Sequence, residues 1–260
     1  MKHFGVIFSL FIVLFFVECA RENKLADEVV FYQNKKANWI KDHKSLPLKD
    51  SLFYEIDPAP LFRKNFFLEH APKKVQLFIT AAGYYKAAVN GTGIENNILD
   101  PSWTDYSKRI YFQEYDITSK IQQGENCIGV VLGNGFYNPL PLKMWGRINL
   151  RDHLPIGKPR FIAKIIVTDH EGNLREIVTD TTWKYSYGPI VKNSVYLGTH
   201  YDARKEIKDW NLALFNDKEW QSAVTVKSQE EDCKKHFFHQ FKSIKRLSQS
   251  IFITVAQESG

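Results

Sequence analysis

The sequence has few of the residues that form disulfide bonds in small secreted domains or bind metal ions. Only three cysteines occur in 260 residues, and their odd number and wide spacing support neither a disulfide framework nor a zinc site with close-set ligands. The pair His236 and His239 lies in a segment of unusual composition and does not complete a zinc-type ligand set. No Gly-x-Ser-x-Gly turn is present, so the sequence lacks the nucleophile turn of that serine hydrolase class. We therefore predict no metal and no cofactor.

A glycine-rich nucleotide loop is also missing. Gly133-Asn134-Gly135 follows an apolar run, but it lacks a third glycine, and the residues up to Pro139 do not begin a helix. A dinucleotide-binding turn requires both features. The segment instead predicts a tight turn at which two backbones approach closely, and a loop of this kind beside aromatic residues is also suited to lining a sugar cleft.

Long apolar runs are scarce, and the most continuous one stands at the N-terminus. Residues 4–17 follow the basic start Met1-Lys2-His3 and are too short to cross a membrane comfortably, which indicates a signal peptide. Cys19 stands where a bacterial lipoprotein has its acylated cysteine, although Glu18 occupies a position that is usually small. Ordinary cleavage nearby and an uncleaved anchor are alternatives, and all three export the protein.

From this segment we expect a lipid anchor at Cys19 and a location in the periplasm or on the outer membrane of a Gram-negative bacterium. The membrane is then a partner through the anchor.

The charge does not favour a nucleic-acid partner. The chain has 35 Lys and Arg against 29 Asp and Glu, a net charge of +6 and a pI near 9.0, but the basic residues are scattered and form no stripe. We predict no nucleic-acid binding. With 44% hydrophobic and 14% aromatic residues, the chain is able to bury a sizeable core.

The apolar pattern predicts strands. Val75, Leu77 and Ile79 alternate with other residues and so lie on one face, and Ile110, Phe112 and Glu114 predict a further strand. Asn90-Gly91 ends a strand at a tight turn, since both residues tolerate positive φ. Residues 161–167 and 175–179 form a hairpin. Short strands without helical periodicity between them predict an all-β, antiparallel, jelly-roll-like β-sandwich.

Four segments follow from these patterns. Residues 1–19 are the predicted signal peptide, residues 20–36 a polar linker, residues 37–229 the sandwich, and residues 230–260 an aberrant or disordered tail. The tail shows neither strand alternation nor turn residues. We interpret it as the product of a shifted reading frame or a truncated gene.

Several local motifs together resemble a known family. They include LDPSWTDY at 99–106, LGNGFYN at 132–138 and YLGTHYDAR at 196–204. In this order and spacing, over residues 38–220, they resemble the N-terminal β-sandwich module of bacterial α-L-rhamnosidases. Thr199 departs from the family pattern, which usually has Glu there. Asp202 and Arg204 are expected to form a structural pair that holds their loop.

The resemblance implies that this module carries no catalytic residue, because in the family the acid and base belong to a helical barrel. Glycoside hydrolysis needs two carboxylates across the scissile bond. Asp100, Asp105 and Asp116 occupy turns, where Asp is favoured for its bonds to the backbone.

The loops do contain residue types that bind sugars, namely flat aromatic faces and groups that pair with hydroxyls. A rhamnose-containing plant or bacterial glycan is the expected, weakly bound partner. For each aromatic residue, core packing is the alternative; Trp39, Trp183, Trp210 and Trp220 are assigned to packing. The candidate substrate-binding residues are Trp103, Asp105, Tyr106, Asn134, Tyr137 and Trp145.

Three hypotheses for the function follow. The leading one is a non-catalytic, carbohydrate-associated module of an α-L-rhamnosidase-like glycoside hydrolase, as a truncated fragment without the catalytic domain. The alternative is a free-standing carbohydrate-binding surface lipoprotein. The third is a structural or adhesive surface protein without sugar specificity.

Overall fold

The computed structural model describes residues 37–226 except residues 95–98, 109 and 145. Every strand pairing within this part of the chain is antiparallel. The predicted all-β sandwich is therefore confirmed. The predicted signal peptide with Cys19, the linker and the tail lie outside the described residues and stay predictions.

The regular elements are short strands and single turns of 3-10 helix. The strands are β1 (Trp39–Lys41), β2 (Pro60–Leu68), β3 (Lys74–Ala82), β4 (Tyr84–Val89), β5 (Thr92–Gly93), β6 (Gln113–Asp116), β7 (Gly124–Gly133), β8 (Lys143–Met144), β9 (Ile148–Asn149), β10 (Arg160–Thr168), β11 (Leu174–Val178), β12 (Lys184–Tyr187), β13 (Ile190–Ser194), β14 (Gly198–Tyr201), β15 (Gln221–Ser222) and β16 (Val224–Val226). The 3-10 helices span Asp50–Tyr54, Thr118–Lys120, Leu150–Asp152 and Ala203–Lys205.

Two sheets form the sandwich. The first has the order β16-β1-β10-β3-β6, with β11 also paired to β10, and the second has the order β15-β12-β2-β7-β4-β5. Between β2 and β4 the chain passes from the second sheet to the first and back. The connections consequently cluster at the two ends of the sandwich, and a small ribbon, β13 with β14, is added at one of them.

The main core lies between the sheets. Val75, Leu77 and Ile79 of β3 face Ile128 and Val130 of β7 in one buried cluster, so the predicted alternation of these strands is present. Removing this apolar surface from water is the main favourable contribution to folding.

The structure contains the predicted turn after β4, but it shortens the strand that was predicted before residue 117. Asn90 and Gly91 have φ of 48° and 81° and join β4 to β5, as the turn signal predicts. The strand predicted around Ile110 and Phe112 is shorter than expected, since β6 covers only Gln113–Asp116. The preceding residues instead pack into a second cluster, where the Thr80 hydroxyl donates to the backbone carbonyl of Tyr111.

This second cluster covers part of the outer face of the first sheet. Phe78 and Ile162 point away from the main core and meet Trp39, Phe112 and Val178. This part of the outer face is therefore buried, whereas Glu114 of β6 lies on an exposed part of it.

A buried arginine organises the outer face of the second sheet. Arg63 of β2 is 0% exposed, and its guanidinium donates to the carbonyl oxygens of Trp210 (2.8 Å) and Leu212 (2.7 Å). It also forms an ion pair with Asp217. These bonds hold residues 206–220, here called the strap, across the sheet.

The sheet leaves room for the strap at Gly129, where a Cβ would lie 2.8 Å from the Trp210 ring. Trp210 stacks on Trp220 with ring centroids 6.1 Å apart, which is the packing role predicted for both. Cys127 is buried beside the Arg63 guanidinium, and burial raises the pKa of its thiol.

We predict that Arg63→Ala lowers the free energy of unfolding by about 3–5 kcal/mol, because it leaves a carboxylate and several carbonyls without their donor. Urea denaturation measures the loss. The control is Arg204→Ala, which removes a side chain that is 90% exposed from its pair with Asp202 and is expected to cost much less, because water screens an exposed ion pair. Equal losses in the two variants would contradict the role of Arg63.

Candidate functional site

The candidate sugar-binding residues that the structure describes lie in loops at one end of the sandwich. The loop before β6 is fixed by Asp100, which is buried. The Asp100 carbonyl accepts a hydrogen bond from the Tyr85 backbone N–H (2.8 Å), and its carboxylate accepts one from the Tyr115 hydroxyl (2.7 Å). These bonds tie the loop that contains Trp103 to β4 and β6.

Trp103 is half exposed to solvent. The residue is 49% exposed, and its ring centroid lies 4.9 Å from that of Phe136. Phe136 in turn meets Tyr196 edge to face at 6.5 Å. We call Trp103, Phe136 and Tyr196 the aromatic shelf.

Phe136 and Tyr196 are not among the sugar-binding residues predicted from the sequence. Both residues lie in the motifs on which the family resemblance rests. The motifs alone, however, do not indicate which of their aromatic residues are exposed. The Tyr196 hydroxyl is buried and has no hydrogen-bond partner within the described part of the chain. Burial raises the pKa of this hydroxyl.

Tyr106 and Tyr137 lie below the shelf and are 5% and 7% exposed. Their rings meet edge to face at 5.1 Å, and the Arg160 guanidinium lies 5.6 Å from the Tyr137 ring. Burial also raises the pKa of Tyr106. Both rings belong to the second cluster, so the structure places them in the core-packing alternative, and sugar contact by either stays a prediction.

Asn134 connects the loop after β7 to the β13–β14 ribbon. Its side-chain amide donates to the Asn193 carbonyl (2.9 Å), its side-chain oxygen accepts from Asn138 (2.8 Å), and its backbone N–H donates to the Asn193 side chain (2.7 Å). The close backbone approach predicted here is present, because a Cβ on Gly83 would lie 2.4 Å from the Gly133 carbonyl oxygen. Asn134 therefore fixes the loop from which Phe136 projects.

Asp105 is occupied by its own turn. Its carboxylate accepts hydrogen bonds from the Ser107 backbone N–H (3.0 Å) and hydroxyl (2.6 Å) and pairs with Lys108 at 3.1 Å. These bonds lower the pKa of Asp105. Asp116 makes the equivalent bonds to Thr118, which agrees with the turn role expected for both. Trp145 lies outside the described residues.

The pair predicted between Asp202 and Arg204 is present. The carboxylate accepts two hydrogen bonds of 2.8 Å from the guanidinium and one from the Arg204 backbone N–H. The guanidinium bonds are the main cause that lowers the pKa of Asp202 to about 2.

Neither a metal-ligand cluster nor a membrane-spanning helix occurs among the described residues. No three His, Cys, Asp or Glu side chains are grouped there as metal ligands. No helix in that part of the chain has the length and apolar character needed to cross a membrane.

The candidate site is an exposed aromatic surface supported by a hydrogen-bonded loop, which suits the stacking of a flat apolar ligand face.

We predict that Tyr137→Ala lowers the free energy of unfolding by about 3 kcal/mol or more, because it opens a cavity in the second cluster. Trp103→Ala removes a half-exposed ring and is expected to cost about 1 kcal/mol or less. Urea denaturation of both variants measures the difference. A loss from Trp103→Ala as large as that from Tyr137→Ala would show that Trp103 is a core residue.

The curated proteins to which this chain is similar include several α-L-rhamnosidases. An α-L-rhamnosidase of Formosa agariphila is 36% identical over 162 residues, which are 62% of this chain and 17% of that protein. An α-L-rhamnosidase of Alteromonas sp. is 34% identical over 195 residues, 73% of this chain and 20% of that protein. The chain therefore spans about a fifth of the length of these curated relatives.

Solved structures of α-L-rhamnosidases are also similar to this chain. The α-L-rhamnosidase from Dictyoglumus thermophilum matches with a TM-score of 0.64 and 36% identity over 81% of this chain and 23% of that one. The Streptomyces avermitilis α-L-rhamnosidase complexed with L-rhamnose matches with a TM-score of 0.60 and 30% identity over 66% of this chain and 16% of that one.

The family described as the alpha-L-rhamnosidase N-terminal domain matches residues 70–242. The match ends inside the predicted tail, which lies outside the described residues, so the boundary at residue 229 stays a prediction. The matched range covers more than half of the chain, and the chain belongs to the α-L-rhamnosidase N-terminal domain family.

Proposed function

We propose that this chain acts as a non-catalytic carbohydrate-binding module of an α-L-rhamnosidase-like glycoside hydrolase, and that the aromatic shelf receives a rhamnose unit. The observation on which the proposal rests is the exposed ring of Trp103, which is supported by Phe136 at 4.9 Å. Trp103 together with the half-buried Phe136 and Tyr196 forms a contiguous aromatic patch, and such patches often mark ligand-binding surfaces.

The relatives support the choice of sugar. The curated relatives are α-L-rhamnosidases, and the Streptomyces avermitilis relative has been solved with L-rhamnose. Rhamnose is a 6-deoxy sugar, so its methyl group enlarges the apolar surface that an indole ring is able to cover.

The hydrogen bonds that Asp105 and Asp116 make within their own turns favour a binding role over hydrolysis. Hydrolysis needs a pair of carboxyl groups on opposite sides of the scissile bond. Asp105 and Asp116 at the exposed turns are each bonded within their own turn. Catalysis is therefore assigned to another part of the longer enzymes of this family.

Because Trp103 is only half exposed, we expect the shelf to contact one face of a sugar ring. We therefore expect L-rhamnose to bind with a dissociation constant of about millimolar order, because little of the sugar is buried. NMR titration of the full chain with L-rhamnose tests this. Trp103→Ala is expected to weaken binding by about tenfold or more, equivalent to about 1.4 kcal/mol.

Leu174→Ala is the matched control, because Leu174 is also exposed and lies on β11, outside the candidate site; this variant should bind like the wild type. The same samples should release aryl alcohol from an aryl α-L-rhamnoside no faster than buffer does. Unchanged affinity in Trp103→Ala would reject the shelf as the binding site, and turnover that depends on Asp105 or Asp116 would reject the non-catalytic role.

We also propose that the protein is exported and attached to a membrane through Cys19. A single lipid chain adds apolar surface to a polar protein. Cys19→Ala is expected to move the protein from the membrane fraction to the soluble fraction and to abolish fatty-acid labelling. Unchanged fractionation together with an unlabelled wild type would contradict the anchor.

A further inference from the structure

The aromatic shelf is assembled from separate parts of the chain. Trp103 and Phe136 lie in the loops before β6 and after β7, whereas Tyr196 lies in the turn of the β13–β14 ribbon. The ribbon is a two-stranded sheet of its own, and every residue of β14 is exposed. Because a two-stranded sheet that buries little apolar surface is only marginally stable in water, packing within the ribbon does not determine where Tyr196 lies.

The start and the middle of the ribbon are bonded to the β1–β2 connection. The Ala59 backbone N–H donates to the Ile190 carbonyl (2.9 Å) at the start of β13. Further along the strand, the Lys192 ammonium donates to the Tyr54 carbonyl, but a lysine reaches its partner through a long and flexible side chain. Neither bond holds the turn that contains Tyr196 against the rest of the shelf.

Asn193 joins the turn end of the ribbon to the loop that contains Phe136. Its side-chain oxygen accepts from the Asn134 backbone N–H (2.7 Å), and its backbone carbonyl accepts from the Asn134 side-chain amide (2.9 Å). Asn193 stands three residues before Tyr196, and Asn134 stands two residues before Phe136. The approach is close, since a Cβ on Gly133 would lie 3.4 Å from the Asn193 side-chain oxygen. The two bonds therefore connect the two loops within a few residues of both rings.

We propose that Asn193 is a positioning residue for the shelf, and that through Asn134 it holds the ribbon turn so that Tyr196 contacts Phe136 before a sugar arrives. The inference rests on the proposed function, since the sugar is the rhamnose unit of the shelf. Rings that are already in place bind a ligand at a smaller entropic cost. Without the Asn193 side chain, binding must also order the ribbon, so the affinity falls although none of the three rings has changed.

The test compares two substitutions at one position by NMR titration of the full chain with L-rhamnose. Asn193→Leu keeps a side chain of similar size but removes the oxygen that accepts from Asn134, and it should weaken binding about tenfold. Asn193→Asp keeps an oxygen acceptor at this position and should restore an affinity within about twofold of the wild type. Equal affinity in Asn193→Leu and the wild type would overturn the positioning role.

Asn65→Leu is the matched control. Asn65 is half-buried, as Asn193 is, and its amide donates to the Ala213 carbonyl of the strap (3.0 Å). The substitution also releases a segment from a strand, but it does so at the strap and not at the shelf. It should lower the free energy of unfolding and leave the affinity for L-rhamnose unchanged. A loss of affinity as large as that in Asn193→Leu would indicate a general effect of instability and overturn the inference.

A second readout needs no sugar and separates this inference from the proposed function. The indole N–H resonance of Trp103, assigned by its absence in Trp103→Ala, reports the packing of this ring on Phe136 at 4.9 Å. It should shift in Asn193→Leu and stay in place in Asn193→Asp and Asn65→Leu. If it does so while the wild type fails to bind L-rhamnose, the proposed function fails and the positioning role stands. An unchanged resonance in Asn193→Leu would overturn the positioning role alone.

Discussion

The fold depends on a buried guanidinium. Arg63 lies in the middle of β2 and points away from the main core, where a charged side chain is stable only if its N–H groups are matched. The strap supplies these partners through the carbonyls of Trp210 and Leu212 and the carboxylate of Asp217. The strap leads directly to β15, which joins the second sheet, and β16, which joins the first. Holding the strap therefore also sets the last strand of each sheet.

Hydrogen bonds from polar side chains also hold the loops at the end of the sandwich that contains the shelf. Polar side chains fix the loops there: Asp100 ties the Trp103 loop to two strands, and Asn134 ties the following loop to Asn193. A loop held in this way loses little freedom when a ligand arrives, which reduces the entropic cost of binding. The weak affinity expected of the shelf then reflects its openness rather than its mobility.

The alternation of Val75, Leu77 and Ile79 and the Asn90-Gly91 turn predicted their strands and turn because the signals are local. Arg63 was not predictable as a buried residue, because alternation places it on an outward face and its partners lie far along the chain. Among the candidate aromatic residues, Trp103 is exposed whereas Tyr106 and Tyr137 are buried. The difference arises from the tertiary position of the second cluster, which a single sequence does not contain.

The central claim is that this end of the sandwich binds a sugar through the aromatic shelf. The most direct test is a crystal structure of the chain soaked with L-rhamnose at a concentration well above the measured dissociation constant. We predict a sugar ring stacked on the Trp103 indole, in contact with Phe136 or Tyr196. Rhamnose bound at a different surface, with the Trp103 ring left in solvent, would contradict the claim.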